Sequence, residues 1–251
     1  MEKDLSFLKN TVIAHRGFHN SKKGIPENSL ESFQMAIDMG FAIELDLHIL
    51  KDDTIIVFHD DNLFRMTGIN KKVKDLTYDD IKNIKLQNTN FNIPLFSEVL
   101  ELVNGKIPIL IELKTDNKVG RLESNTLKML KDYSGKFAIQ SFSPFSINWF
   151  RKHSPEIIRG QLSDNMNNSF FIRKWFLKNM IFNFITKPDF VSYGISSLPN
   201  KKVMKFRNTS LVLGWTIKNN NDLAHAKLYC DNYICENIDE LNFYWYNKNI
   251  F

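Results

Sequence analysis

The sequence predicts an α/β fold, a (β/α)8 TIM barrel with a β-hairpin extension and a small insertion after strand 2. Eight short β-like runs recur along the 251 residues. Segments with helical patterning separate most of them, as in βαβ units. Eight such units in about 250 residues match the size of a TIM barrel. The runs are TVIAH (11–15), AIELDLHI (42–49), IPILIEL (107–113), FAIQSF (137–142), IIRGQL (157–162), FVSYGI (190–195), LVLGWTI (211–217) and NYICEN (232–237).

Two helices between the first runs have recognisable ends. In PENSLESFQMAIDMG we expect Asn28 to cap the helix and Glu31 to complete a capping box. Gly40 can end this helix in the left-handed conformation. In FSEVLELVNG we expect Ser97 as the cap and Gly105 at the end.

A ninth run, TIIVFHD (54–60), does not fit the parallel count. It follows the second strand after only the turn at residues 51–53, which is too short for a parallel crossover. We therefore interpret it as the returning arm of a hairpin at the C-terminal rim of the barrel. This hairpin is expected to bring His59 opposite Asp46.

The chain is predicted to form one domain over residues 1–251, because no Pro/Gly/Ser-rich linker or repeat divides it. An insertion occupies about residues 50–100 of this domain. Its polar part, residues 61–96, carries little patterned hydrophobicity apart from LTYDDIKNI.

Composition limits the classes of partner. The net charge of +5 and the isoelectric point near 9.0 suit an anionic ligand. No basic run interleaved with aromatics indicates a nucleic-acid surface. Cys230 and Cys235 are too few for a disulfide scaffold or a four-ligand zinc site, and we expect buried, reduced thiols. The amino terminus does not resemble a signal peptide and no run has the length of a membrane span, so we expect a cytoplasmic protein.

Acidic side chains alternate with apolar ones in two neighbouring strands. Glu44 and Asp46 share one face of the second run, and Glu112 and Lys114 share one face of the third. Three converging carboxylates are suitable ligands for Mg²⁺ or Ca²⁺. The alternative is a structural polar layer in which Lys114 and Arg16 neutralise the carboxylates.

The first strand ends in His15-Arg16-Gly17, at the position where barrel enzymes place catalytic residues. Arginine offers a planar fork for phosphate, and glycine lets the backbone approach closely. Each of these short motifs is weak evidence alone.

Their order along the chain is far more specific. HRG, PEN, E-x-D in the second strand and HD after the hairpin are followed by IPLFSEVL, IELK, QSFSP, LGWTIKN and YICEN. This ordered set resembles the glycerophosphodiester phosphodiesterase family over essentially the whole chain. The resemblance implies a metal-dependent hydrolase that converts glycerophosphocholine, glycerophosphoethanolamine and similar compounds to sn-glycerol 3-phosphate and an alcohol.

The resemblance also implies roles for ten residues. One divalent ion, Mg²⁺ or Ca²⁺ with Mn²⁺ as a substitute, would be held by Glu44, Asp46 and Glu112. The acid/base pair would be His15 and His59. Substrate contacts would come from Arg16 and Lys114 at the phosphate, Glu27 beside the centre, and Gln140 and Trp215 in the pocket wall. Trp215 also fits a core aromatic. His48 departs from the family pattern, and we expect it to be a rim residue without a chemical role.

Several alternatives remain open from the sequence. The glycerol 2-hydroxyl could attack phosphorus to give a cyclic phosphate, or water could attack directly. The same centre could act as a lysophospholipase D, or the barrel could bind glycerophosphodiesters without turnover. The aromatic and basic stretch at 170–190 fits a loop and helix packed on the barrel better than a peripheral membrane contact. The sequence predicts no oligomeric state.

Overall fold

A computed structural model describes residues 3–115, 118–164 and 180–241. Eight parallel strands form a closed barrel, which confirms the predicted fold class. The first strand pairs with both the second and the last, and this closes the sheet. The strands are β1 (Ile13–Ala14), β2 (Ala42–Ile49), β3 (Ile55–Val57), β4 (Ile109–Leu113), β5 (Phe137–Ser141), β6 (Arg159–Ser163), β7 (Phe190–Gly194), β8 (Leu211–Ile217) and β9 (Asn232–Cys235).

Most of the described helices alternate with the parallel strands as the sequence predicts, whereas α1 precedes β1 and α3 and α4 lie in the insertion. In chain order they are α1 (Ser6–Lys9), α2 (Leu30–Asp38), α3 (Phe64–Thr67), α4 (Tyr78–Ile81), α5 (Phe96–Val103), α6 (Arg121–Leu130), α7 (Pro144–His153), α8 (Asn183–Thr186), α9 (Lys201–Arg207) and α10 (Asn220–Tyr229).

The predicted caps of α2 and α5 are wrong by one or two residues. Ser29 caps α2, because its extended backbone lets its hydroxyl accept the Ser32 N–H at 3.1 Å. Asn28 instead has a positive φ of 52° and uses its side chain elsewhere. Leu95 precedes α5, and the Glu98 carboxylate accepts its N–H at 2.7 Å. The predicted cap Ser97 therefore lies inside the helix.

The barrel interior has an apolar floor below a polar upper layer. Phe7 and Leu8 of α1 pack with inward-facing residues such as Ile13 and Leu110 to form this floor. Along β4 the inward face changes from Leu110 to Glu112, while the outward residues pack against the helices. The sheet register sets Asp46 of β2 beside Glu112 of β4. The alternation predicted from the sequence thus places acidic groups above an apolar layer.

The ninth run forms the predicted antiparallel hairpin with β2, but its register differs by one residue. Leu47 pairs with Val57, and the Phe58 N–H donates to the Asp46 carbonyl at 2.9 Å. Phe58, not His59, therefore lies opposite Asp46. His59 follows the end of the strand.

The insertion after β3 has a hydrophobic core of its own. Its buried side chains are Leu50, Ile56, Phe58, Leu63, Met66, Val73, Leu76, Ile81, Leu86 and Ile93. Leu50, Ile56 and Phe58 come from the hairpin that precedes the insertion. The others come from turns and helices of no more than four residues, so the sequence shows no regular periodicity there. The expected polar segment is thus a packed subregion.

The aromatic and basic stretch at 170–190 is only partly described, because residues 170–179 lie outside the described residues. Within 180–190, the stretch contains α8 and the first residue of β7. No helix in the described part of the chain has the length and apolar composition needed to cross a membrane.

Candidate active site

Nine of the ten predicted site residues line one cavity of about 540 Å³ at the mouth of the barrel. The tenth, Asp46, is fully buried and contacts the side chains of Arg16 and Lys114 from this lining. The cavity also contains Arg65, Phe142, Lys218 and Glu236, to which the sequence analysis gave no role.

Glu44, Asp46 and Glu112 form a compact acidic cluster. Each offers one carboxylate oxygen, and these oxygens lie within 4.8 Å of one another. The exposed fractions of the three residues are 1%, 0% and 6%. Burial, with repulsion from its two acidic neighbours, raises the pKa of Glu44 well above its ordinary value. Burial likewise raises the pKa of Glu112, with a further contribution from Asp46.

Lys114 and Arg16 are the cations nearest to this cluster. Lys114 Nζ lies 2.9 Å from Asp46 Oδ1 and also bonds the Glu112 carboxylate. Arg16 Nε lies 3.4 Å from Asp46 Oδ2, and its backbone N–H donates to Glu44 at 3.1 Å. Burial opposes ionisation of Asp46, but Lys114, His59 and Arg16 outweigh it and lower the pKa of that carboxyl. Arg16 Nη1 also donates to Glu27 Oε1 at 2.8 Å.

The cluster fits a divalent cation. Three buried carboxylates supply the hard oxygen donors that Mg²⁺ and Ca²⁺ require. Lysine and arginine side chains reach Asp46 and Glu112, whereas none in the described part of the chain comes within 4.0 Å of Glu44. A bound cation would compensate the negative charge that these two basic residues leave unpaired.

His15 is oriented by Glu236, at the end of the last strand. The Glu236 carboxylate lies 2.7 Å from His15 Nδ1, although 221 positions separate the two residues. Burial opposes ionisation of Glu236, but its bond to His15 and nearby positive charge lower its pKa to about 2. An ionised carboxylate only accepts hydrogen bonds, so His15 Nδ1 must donate and its Nε2 faces the acidic cluster. That Nε2 lies 3.9 Å from Glu44 Oε2.

His59 has an equivalent arrangement with its sequence neighbour Asp60. Asp60 Oδ1 lies 2.5 Å from His59 Nδ1, and Arg65 holds the same carboxylate through two bonds of 2.6 and 3.0 Å. Burial lowers the pKa of His59 to about 4, so its Nε2 is unprotonated at neutral pH. Arg65 also bonds Glu27 at 2.6 and 3.0 Å, which ties the insertion to the barrel rim.

Asn28 reaches the centre through its side chain. Its Nδ2 donates to Asp46 Oδ2 at 2.9 Å, and its exposed fraction is 2%. The asparagine of the PEN motif is therefore an acidic-cluster contact, and the predicted cap role does not apply. The HD and YICEN motifs contain Asp60 and Glu236, but local patterning did not indicate their histidine partners.

The pocket wall away from the acids is largely apolar. Trp215 contacts Phe142 edge to face with ring centroids 5.6 Å apart, and it also packs on the apolar floor. Its indole Nε1 is buried without a hydrogen-bond partner in the described structure. Gln140 lies above the floor and accepts a 2.7 Å hydrogen bond from Ser192.

Gly17 and His48 contact neighbouring elements of the fold. Gly17 has a φ of +83°, and a Cβ there would lie 2.3 Å from Ser32 Oγ. The glycine of HRG thus lets β1 turn tightly against α2. His48 lies outside the lining of the acidic cavity, and its Nε2 is 3.2 Å from the His59 carbonyl oxygen.

Comparisons with known proteins agree on one family. A sequence model described as the Glycerophosphoryl diester phosphodiesterase family matches residues 15–240. A glycerophosphodiester phosphodiesterase from Caldanaerobacter subterraneus is 32% identical over 166 residues, covering 62% of this chain and 67% of the relative. A lysophospholipase D from Rattus norvegicus is 35% identical over 134 residues, covering 48% of this chain and 41% of the relative.

Solved structures share the fold at lower identity. An Oleispira antarctica phosphodiesterase, in complex with the product sn-glycerol-3-phosphate, aligns with a TM-score of 0.76 and 21% identity, covering 91% of this chain and 93% of that one. A structure from Silicibacter pomeroyi, described as a putative glycerophosphoryl diester phosphodiesterase, aligns with a TM-score of 0.79 and 20% identity, covering 92% and 93%.

Proposed function

Because the chain belongs to the glycerophosphoryl diester phosphodiesterase family, a family of phosphodiester hydrolases, we propose that it hydrolyses glycerophosphodiesters such as glycerophosphocholine and glycerophosphoethanolamine. The products are sn-glycerol 3-phosphate and an alcohol. The observation that carries this proposal is the pair of carboxylate-bound histidines, His15 and His59, beside a buried acidic cluster in one cavity.

The two histidines perform the proton transfers. Their Nδ1 atoms are bound by Glu236 and Asp60, so each Nε2 is left to exchange a proton with the reacting groups. One imidazole removes the proton of the attacking group, which is water or the glycerol 2-hydroxyl, and the other protonates the departing alkoxide. Where the 2-hydroxyl attacks, the cyclic phosphate that forms is opened by water in a second step, with the two imidazoles exchanging roles. The negative charge of the phosphodiester favours the protonated form of an imidazole beside it, which offsets the effect of burial.

The basic residues bind the phosphoryl group. Arg16 and Lys114 border the cavity and are already held by buried carboxylates, so little reorganisation accompanies substrate binding. A divalent cation held by Glu44, Asp46 and Glu112 would stabilise negative charge on the phosphoryl oxygens.

The remaining residues position the substrate. Trp215 and Phe142 offer an apolar wall for the glycerol carbons. Gln140 offers an amide in the same lining. Glu27, bonded to Arg16 and Arg65, keeps the phosphate-binding arginine in place.

The proposal is tested by measuring glycerol 3-phosphate release in a coupled assay with several head groups, a chelator and metal add-back. His59→Ala is expected to lower kcat by about a hundredfold to ten-thousandfold, as general acid/base groups contribute. The control is His153→Ala, an exposed histidine on α7, which should retain the parent rate. A parent protein without turnover under any metal condition, or a His59→Ala variant with the parent rate, would contradict the proposal.

A second candidate is lysophospholipase D activity at the same centre. A relative named lysophospholipase D is 35% identical over the matched segment, and Phe142, Leu162 and Trp215 provide apolar surface in the cavity. Turnover of lysophosphatidylcholine that exceeds turnover of glycerophosphocholine would support this candidate. The reverse order would support the glycerophosphodiester.

A further inference from the structure

A second cavity, of about 550 Å³, lies between the insertion and the start of α6. Its lining is strongly basic, with Lys72 and Lys74 from the insertion, Lys114 and Lys118 after β4, and Arg121 of α6. Within the described ranges, Asp61 is the one residue of the lining that carries a carboxylate. Clefts lined by one sign of charge concentrate counter-ions.

Among the described residues, three of these cations have no acidic partner. Lys114 pairs with Asp46, and Arg121 pairs with Asp53. In the described ranges, by contrast, no carboxylate lies within ion-pair distance of Lys72, Lys74 or Lys118. The cavity therefore has a surplus of positive charge that an anionic ligand could neutralise.

The walls of this cavity are tied together by backbone contacts. The Val73 N–H donates to the Asp61 carbonyl at 2.9 Å, and Val73 is buried in the core of the insertion between the two lysines. Across the cavity, Arg121 donates to the carbonyls of Leu50 and Lys51 at 2.8 Å each. The segment that carries Lys72 and Lys74 is thus held by backbone hydrogen bonding and by the burial of Val73.

Lys114 connects this basic cavity to the active site, because it lines both. A phosphodiester bound at Lys114 has two ester substituents. If the glycerol lies along the Trp215 wall, the other substituent can extend past Lys114 towards Lys72 and Lys74. The basic cavity thus borders the same lysine that would bind the phosphate.

We propose that this basic cavity is a subsite for a head group that carries a second phosphate anion. The proposal rests on the proposed phosphodiesterase function and specifies its substrate class. Cationic head groups such as choline gain nothing from this surface, whereas a glycerophosphodiester with a further phosphodiester in its alcohol part gains charge-assisted contacts with the free lysines.

The test compares two substrates that differ in this charge. Bis(glycerophospho)glycerol contains two phosphodiester groups, whereas glycerophosphoglycerol contains one. For the parent protein, kcat/KM is expected to be higher with the first. In Lys72→Gln/Lys74→Gln, this preference should fall about tenfold, at roughly threefold for each partly exposed charge contact. Activity on glycerophosphoglycerol should change less than twofold.

The matched control is Lys128→Gln/Lys131→Gln, which removes two exposed lysines at the other end of α6. Its preference should equal that of the parent. Added salt should reduce the preference of the parent and of this control, because salt screens exposed charges. An unchanged preference in Lys72→Gln/Lys74→Gln, or an equal loss in the control, would overturn the subsite.

Binding separates the subsite from the chemistry. If the parent hydrolyses neither these two compounds nor glycerophosphocholine and glycerophosphoethanolamine, the proposed function fails, but titration calorimetry still measures affinity for both compounds. Tighter binding of bis(glycerophospho)glycerol that weakens in Lys72→Gln/Lys74→Gln would support the subsite alone. Equal affinities of the two compounds for the parent would overturn it.

Discussion

Each candidate catalytic histidine is fixed by one ionised carboxylate. Glu236 binds His15 across the seam where the barrel closes, and Asp60 binds His59 from the adjacent position. In both cases the bond leaves Nε2 directed at the acidic cavity with a defined tautomer. Glu236 and Asp60 therefore set which ring nitrogen of each histidine is protonated, while the histidines themselves would contact the substrate.

Replacing Glu236 with Gln should lower kcat by about a hundredfold to ten-thousandfold, because the amide no longer fixes the tautomer of an acid/base histidine. KM should change little, because Glu236 acts through His15. Burial lowers the pKa of His15, and the bond to the Glu236 carboxylate partly offsets this effect. Removal of the carboxylate should therefore move the His15 titration, followed by NMR, to still lower pH.

Glu240→Gln, an exposed change four residues further on, is the control and should behave as the parent. Glu236→Asp should restore part of the rate. An unchanged kcat and an unmoved His15 titration in Glu236→Gln would show that the contact has no positioning role.

The sequence predicted those site residues whose own neighbours in the chain indicate a role. Glu44, Asp46 and Glu112 were found because carboxylates in β-like runs contradict ordinary burial. Glu236 was missed because its partner lies on the first strand, and only closure of the barrel brings the two together. Asn28 was assigned to a cap because asparagine is a common capping residue, and nothing local indicated Asp46.

At the scale of elements, the junction between β1 and α2 depends on Gly17. The chain turns there with φ of +83°, and the helix packs so closely that no Cβ fits beside Ser32. This turn places His15 and Arg16 at the cavity, and the segment just before α2 brings the Asn28 side chain to Asp46.

Gly17→Ala should reduce the free energy of unfolding by about 2–4 kcal/mol, since it adds a steric clash to a strained backbone conformation. Gly24→Ala is the matched control. It shares a positive φ of +72° but has no atom within 4 Å of the added Cβ, so we expect a loss of about 1 kcal/mol. Urea denaturation measures both, and equal losses would contradict the packing argument.

The positions of the strands were predicted more reliably than the register of the hairpin and the packing of the insertion. All eight parallel runs were recognisable from β-branched and apolar residues, and the short turn at 51–53 showed that the ninth had to return antiparallel. The register of that hairpin was wrong by one, because composition alone does not fix which residues pair. The sequence did not predict the core of the insertion, since its apolar residues follow neither helical nor strand periodicity.

For the molecule as a whole, the apolar floor and the acidic layer have opposite effects on the stability of the folded state. Burial of Phe7, Leu110 and their neighbours favours the closed barrel, whereas three buried carboxylates with two nearby cations oppose it. A ligand that binds the folded state and supplies positive charge should therefore stabilise the protein.

Adding Ca²⁺ or Mg²⁺ to chelator-treated protein should raise Tm, by an amount equivalent to about 2.7 kcal/mol at a hundred times Kd. Glu112→Gln should largely abolish this rise. Glu101→Gln, an exposed change on α5, should preserve it. Thermal denaturation followed by circular dichroism measures the shift, and an equal rise in Glu112→Gln would argue against a cation at this cluster.

The hairpin pairing of Asp46 with Phe58 limits how this protein can diverge. A deletion or insertion of one residue in the turn at 51–53 would shift the returning strand by one position. Side chains alternate along a strand, so this shift would exchange Ile55 and Val57, which pack in the barrel core, with Ile56 and Phe58, which pack in the core of the insertion. It would also carry His59 away from its cavity. Descendants of this chain should therefore conserve the length of this turn more strictly than its composition.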